Sequence, residues 1–115
     1  MIKGEAKLLR IFLGESDKIG PVPVYEKILV EARKDELAGA TVYRGIMGFG
    51  ANSVIHKAKF LTMSEDLPLV IEIVDEVERI EKFIPKLKTI FEESNIGGLI
   101  TMEKAEIIIL NTTKK

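Results

Sequence analysis

The sequence predicts an α+β sandwich of ferredoxin-like type: a four-stranded antiparallel sheet with two helices on one face, in the order βαββαβ. Three observations lead there. Four segments, 7–13, 41–47, 68–75 and 99–110, have the apolar alternation or aliphatic density of strands. Two others, one entered at Pro21-Val22-Pro23 and one over 77–93, repeat apolar residues at helical spacing. No repeat, linker or low-complexity tract divides the 115 residues, which predicts a single domain over 1–115 with its core at about 6–110.

The first strand places Leu9, Ile11 and Leu13 on one face and Leu8, Arg10 and Phe12 on the other. An arginine between two large apolar residues marks that second face as something other than a plain wet surface. Residues 14–20, with Ser16, Asp17 and Gly20, read as a turn. Proline then suits the first turn of a helix, where its missing N–H would have no partner. Tyr25, Ile28, Leu29 and Ala32 follow at i, i+3, i+4 and i+7, and the helix is expected to stop near Leu37, before Gly39.

The third strand sets Leu69, Ile71 and Ile73 on one face and Val70, Glu72 and Val74 on the other, again with one charge inside an apolar row. Val77, Ile80, Ile84, Leu87 and Phe91 make the stripe of the second helix, widened by Phe83 and Ile90. Pro85 removes a backbone bond at a cost of about 3 kcal/mol. The stripe stays in phase across it, which predicts one kinked helix rather than two. Asn95-Ile96-Gly97-Gly98 suits a left-handed cap. The last segment ends in Ile107-Ile108-Ile109-Leu110, apolar on both faces, which predicts cover on both. Residues 111–115 read as a frayed tail.

Two helices can cover only one face of such a sheet. Leu8, Phe12, Val70 and Val74 are left on the other, and that much apolar surface predicts an oligomer. First and third strands are central neighbours in this topology, which sets Arg10 against Glu72 on the helix-free face.

Composition narrows the functional classes. Seventeen basic and 18 acidic residues give a net charge of −1, with no excess to drive binding to nucleic acid or an anionic membrane. The absence of cysteine excludes disulfides, thiolate nucleophiles and cysteine metal sites. No apolar run approaches the ~20 residues that cross a bilayer, so the chain is not expected to be membrane-embedded. Met1-Ile2-Lys3-Gly4-Glu5 is too short and polar for a signal peptide, which makes cytoplasmic the expected location. Glutamine is absent and 30% of residues are charged, a high-temperature composition that predicts a thermostable protein.

The second strand, 41–47, breaks at Gly48-Phe49-Gly50 and runs into a long polar loop that holds the only histidine, His56. Glycine-hinged loops between regular strands are where small domains place function. Gly45-Ile46-Met47-Gly48-Phe49-Gly50 is not a dinucleotide fingerprint, since its spacings are reversed and no helix follows. A bulge or bend where only glycine fits is the structural reading, and such a bend also opens backbone N–H groups to a ligand. One histidine cannot make a zinc site without an oligomer axis or carboxylate partners, so no metal is expected.

The order of elements, with this loop entered through Gly48-Phe49-Gly50, resembles the PII signalling proteins, as do Leu67-Pro68 feeding a strand and Gly97-Gly98 before the last one. More closely, Gly14-Glu15-Ser16-Asp17, Ala38-Gly39-Ala40-Thr41-Val42, Arg44-Gly45, Gly48-Phe49-Gly50-Ala51, Ile55-His56 and Ser64-Glu65-Asp66-Leu67-Pro68 are similar to the PII-like branch termed domain of unknown function 190. PII-like proteins are homotrimers that bind nucleotides in clefts between subunits and signal through the long loop. The resemblance implies a homotrimer here, a small anionic metabolite or nucleotide in such a cleft, and a protein partner reached through the 48–66 loop. The chain departs from the PII pattern twice. Ala51-Asn52-Ser53-Val54 stands where PII proteins carry basic and glutamine residues, and Ser94-Asn95-Ile96-Gly97-Gly98-Leu99 where they carry phosphate-binding lysines.

The expected ligand site therefore brings Gly48, Gly50 and Asn52 of one chain against Gly97 and Gly98 of the next, with backbone N–H groups holding the anion. His56, Lys57 and Lys59 add charge once the 52–66 loop orders. The alternative is a small enzyme using His56 with Asp17 or Glu65 as an acid–base pair. A purely structural trimer is the third reading. The sensor is favoured because nucleophile, metal cluster and phosphate loop are missing, and no cofactor is assigned.

Overall fold

The computed structural model describes residues 2–49 and 66–112. In chain order these form β1 (Ile2–Gly14), the short pair β2 (Lys18–Ile19) and β3 (Val22–Pro23), α1 (Val24–Lys34), β4 (Thr41–Arg44), β5 (Pro68–Glu76), α2 (Val77–Ser94) and β6 (Leu99–Leu110). The main sheet is ordered β4-β5-β1-β6 with every pair antiparallel, the predicted ferredoxin-like arrangement with β1 and β5 in the centre. The β2–β3 ladder, inside and just after the expected turn, is an addition to it.

Alternation along the central strands sorts the two faces. Leu9, Ile11 and Leu13 of β1 and Leu69, Ile71 and Ile73 of β5 are buried under the helices. Val24, Ile28 and Ala32 meet them from α1, and Ile80, Phe83, Leu87 and Ile90 from α2, while Tyr25, Leu29, Ile84 and Phe91 pack at the margin. Each large side chain so buried contributes about 1.5–3 kcal/mol. α2 runs as one helix through Pro85, which sits on its exposed side.

Three details differ from the expectation. α1 ends at Lys34 rather than near Leu37, because Glu36 takes a left-handed conformation at φ 58° and turns the chain; the Leu37 N–H then bonds back to the Ala32 carbonyl at 3.1 Å. At the end of α2 the expected left-handed cap is present, at Asn95 with φ 51°. Gly98 is needed for another reason: a Cβ there would lie 2.8 Å from the Phe12 carbonyl oxygen and 2.8 Å from the Phe91 ring.

The other two differences concern the outer strands. β4 is shorter than 41–47, for reasons given below. Among the described residues, β6 is not covered on both faces. Its pairing with β1 continues to Ile2↔Leu110, whereas β5 stops pairing at Ala6↔Glu76 and turns into α2. Residues 2–5 and 106–110 thus form a two-stranded arm, with a register shift between Ile2 and Gly4. Ile108 and Ile109 on it are 76% and 60% exposed in the single chain.

Asp75 extends the buried apolar row of β5 and has no accessible surface at all. Its Oδ2 accepts the Ala38 N–H at 2.9 Å and its Oδ1 the Glu76 N–H at 2.7 Å. The carboxylate therefore ties the α1–β4 loop to the junction of β5 and α2. Asp75→Ala leaves both donors without this partner and is expected to lower the unfolding free energy by about 2–3 kcal/mol in urea denaturation. A loss below about 0.5 kcal/mol would show that water replaces the carboxylate and that the tie is dispensable.

Candidate functional site

The antiparallel register brings four chain positions to one end of the sheet. Leu13 and Arg44 both stand opposite Leu69, and Phe12 stands opposite Leu99. The ends of β1 and β4 and the starts of β5 and β6 therefore meet at the root of the long loop. Regular pairing of β4 stops at Arg44, although the Gly45 N–H still donates to the Pro68 carbonyl at 2.7 Å. The proline ring fixes the bend that follows. A Cβ on Gly45 would lie 2.9 Å from Pro68 Cγ, and one on Gly48 3.2 Å. The break expected at Gly48 thus begins at Gly45, and packing against Pro68 accounts for both glycines.

The bend turns large apolar side chains outward. Ile46, Met47 and Phe49 are 82%, 58% and 77% exposed. None of the three was expected in the site: Ile46 and Met47 close the strand expected over 41–47, and Phe49 stands between the hinge glycines. Their signal was apolar residues in a turn, where polar ones normally serve.

Across the end of the sheet, the turn after β1 holds the root in place. Glu15 N–H donates to the Leu67 carbonyl at 2.9 Å, Ser16 N–H to Asp66 Oδ1 at 3.1 Å, and Gly14 N–H to Asp17 Oδ2 at 2.8 Å. Glu15 also pairs with Arg44. Burial pushes the Asp17 carboxyl above its ordinary value; the Gly14 N–H opposes that and the charge of Asp66 adds to it.

The candidate ligand residues divide into three groups. Gly48 lies at this root. Gly97 and Gly98 lie at the same end of the sheet but on its opposite edge, next to β6, with β5 and β1 between. Three strand spacings make that about 14 Å, so one chain does not bring the two glycine segments together. Gly50, Asn52, His56, Lys57 and Lys59 lie outside the described residues, as does Glu65. Among the described residues, no cluster of three or more His, Asp or Glu side chains could hold a metal ion. A depression of about 540 Å³, lined by Asp35, Glu36, Arg79 and Lys82, lies at the other end of the sheet. Its Arg79 is already bonded to the Glu36 carbonyl at 2.7 Å.

The helix-free face carries the expected pair and more. Arg10 stands directly opposite Glu72, and its Nε donates to Glu72 Oε2 at 2.8 Å. Glu103, diagonal to Arg10 on β6, accepts a second guanidinium bond. Tyr43, diagonal on β4, donates its hydroxyl to Glu72 at 3.0 Å. These bonds from Arg10 and then Tyr43 hold the Glu72 carboxyl below the usual range. Leu8, Phe12 and Val70 around this network are half-buried and Val74 is exposed.

The family model DUF190, described as Uncharacterized ACR, matches residues 6–107. The chain belongs to the DUF190 family. A UPF0166 protein of Aquifex aeolicus is 40% identical over 104 residues, covering 90% of this chain and 94% of the relative. A UPF0166 protein of Methanocaldococcus jannaschii is 38% identical over 107 residues, covering 93% and 94%. The DUF190 chain also shares its fold with PII-like proteins. CPII, a nitrogen regulatory PII-like protein of Thiomonas intermedia K12 solved with ADP, AMP and bicarbonate, superposes with a TM-score of 0.66 at 15% identity, over 92% of this chain and 91% of CPII. A PII-like signaling protein of Thermus thermophilus gives 0.62 at 13% identity, over 94% of each chain.

The root network predicts a pH effect of definite sign. A carboxyl raised in the folded state favours folding below its ordinary value of 3.8, and that contribution is lost as pH rises through the folded value. Ionised Asp17 therefore weighs against the fold at neutral pH. Asp17→Asn keeps an acceptor for Gly14 N–H and is expected to raise the thermal midpoint at pH 7, with the gain vanishing near pH 3.8. A lower midpoint at pH 7 would mean that the charge itself holds the turn.

Proposed function

We propose that this DUF190 protein is a PII-like regulatory protein of the cytoplasm. It binds a small anionic ligand, in the class of an adenine nucleotide or bicarbonate, in a cleft between copies of a homotrimer, and it signals to a protein partner through the 48–66 loop. The observation that carries this reading is the placement of the two glycine segments. Gly48 and Gly97-Gly98 share one end of the sheet but sit on opposite edges. A second copy is what sets one edge against the other. Gly50, Asn52, His56, Lys57 and Lys59 belong to the proposed site through the loop that Gly48 opens.

The same end of the sheet supports the ligand class. Backbone N–H groups at glycine bends take an anion without side-chain cations. Phe49, 77% exposed beside them, offers a ring face on which a base can stack. The ligands solved with CPII are of this kind. Sensing is preferred to catalysis because Asp17, the described partner in an acid–base pair with His56, has Oδ2 engaged by the Gly14 N–H.

Hydrogen exchange tests the reading, with ADP, AMP and bicarbonate offered singly and together. Protection is expected at residues 45–49 and 96–99 at once, since one ligand bridges both edges. Phe49→Ala is expected to weaken nucleotide binding by about 1–3 kcal/mol and leave bicarbonate alone. Protection at neither segment with every ligand, or on the helices only, contradicts the proposed site.

A further inference from the structure

Among the described residues the helix-free face holds more negative than positive charge, and we infer that copies of this chain associate through it with uptake of protons, Glu103 being the carboxylate that receives them. The inference rests on the assembly proposed above and concerns how that assembly is regulated.

Alternation and register place the charged groups. β1 contributes Arg10 to this face, β5 contributes Glu72 and Glu76, β4 contributes the Tyr43 hydroxyl, and β6 contributes Glu103. Thr101 and Ala105 flank Glu103 on its own strand, and both helices lie on the other side of the sheet. Arg10 is the one cation among these groups. Its guanidinium already serves both Glu72 and Glu103, two carboxylates to one positive charge.

In the single chain, water supports the surplus, since the Glu103 side chain is 55% exposed. Association changes that. Leu8, Phe12, Val70 and Leu99 surround the network, and covering them also covers the carboxylates. A second copy brings the same face, with the same surplus of negative charge. Removal from water and a like charge nearby both disfavour an ionised carboxylate. Of the two carboxylates on Arg10, Glu72 has Tyr43 as a second donor, whereas the described bonds of Glu103 come from Arg10 alone. Glu103 is therefore where a proton relieves the surplus.

The sign follows from linkage. If the associated state binds more protons than the separate chains, association strengthens as pH falls, by up to about tenfold in dissociation constant per pH unit for each proton taken up.

The test measures self-association of the full chain by sedimentation and by exchange of fluorescently labelled copies, from pH 8 to pH 5. Wild type, Glu103→Gln and Glu103→Ala are compared, with Glu106→Gln as a control for net charge. The expected result is wild-type association that tightens on acidification. Both Glu103 variants should then be tighter than wild type at pH 8 and flatter with pH, while Glu106→Gln follows wild type. Weaker association of the Glu103 variants at pH 8 would overturn the inference, because it would mean a neighbour's cation already pairs with this carboxylate. A pH dependence that persists in the Glu103 variants, or that Glu106→Gln removes equally, overturns it too. A wild-type chain that stays single at every pH refutes the assembly itself, a separate result from either of these.

Discussion

Two helices cover one face of a four-stranded sheet, and among the described residues nothing covers the other. The central strands β1 and β5 present buried rows on the helix side and half-buried apolar residues around a charged network on the other. Were that second face destined for water, alternation would place polar residues along it. Instead Leu8, Phe12, Val70 and Val74 stand there beside a network in which one guanidinium serves two carboxylates and the Tyr43 hydroxyl donates to one of them. A partly exposed network of this kind adds little stability alone. Its geometric demand is high, because Arg10, Glu72, Glu103 and Tyr43 come from all four strands, so the face has a fixed register to offer a partner. The arm of β1 and β6, with Ile108 and Ile109 uncovered, extends the same want of cover beyond the body of the fold.

The loop root shows how the sheet end is prepared. Pro68 sits against Gly45 and Gly48, so the bend is set by close packing as well as by glycine's conformational freedom. The turn after β1 grips residues 66–67 through backbone donors, and Arg44 reaches across to Glu15. The root is thus tied to the start of β2, β3 and α1. Outside this bracing, Ile46, Met47 and Phe49 face solvent.

Much of the fold was legible in the sequence because it depends on local periodicity. Leu9, Ile11 and Leu13, and Leu69, Ile71 and Ile73, alternate cleanly, and α2 keeps its stripe in phase across Pro85. The Arg10–Glu72 pair was also legible, since topology alone makes β1 and β5 neighbours and each strand carries one charge in an apolar row. Glu103 and Tyr43 were not. Their places depend on the registers of β6 and β4, which the outer strands' patterns do not fix. Asp75 escaped notice because one carboxylate at a strand end reads as a solvated boundary; only the fold shows Ala38 arriving to donate to it. At the candidate site, both glycine segments fall at one end of the sheet, but they also pack against Pro68 and Phe91, and Ile46 and Met47 between them read as strand residues.

Everything proposed for this DUF190 chain depends on the helix-free face being covered by further copies of it. The absolute mass in solution, from light scattering on a size-exclusion eluate at micromolar concentration and pH 7, tests that most directly. The account predicts a mass about three times the 12.8 kDa of one chain. A mass of 12.8 kDa that persists as the concentration is raised would contradict it.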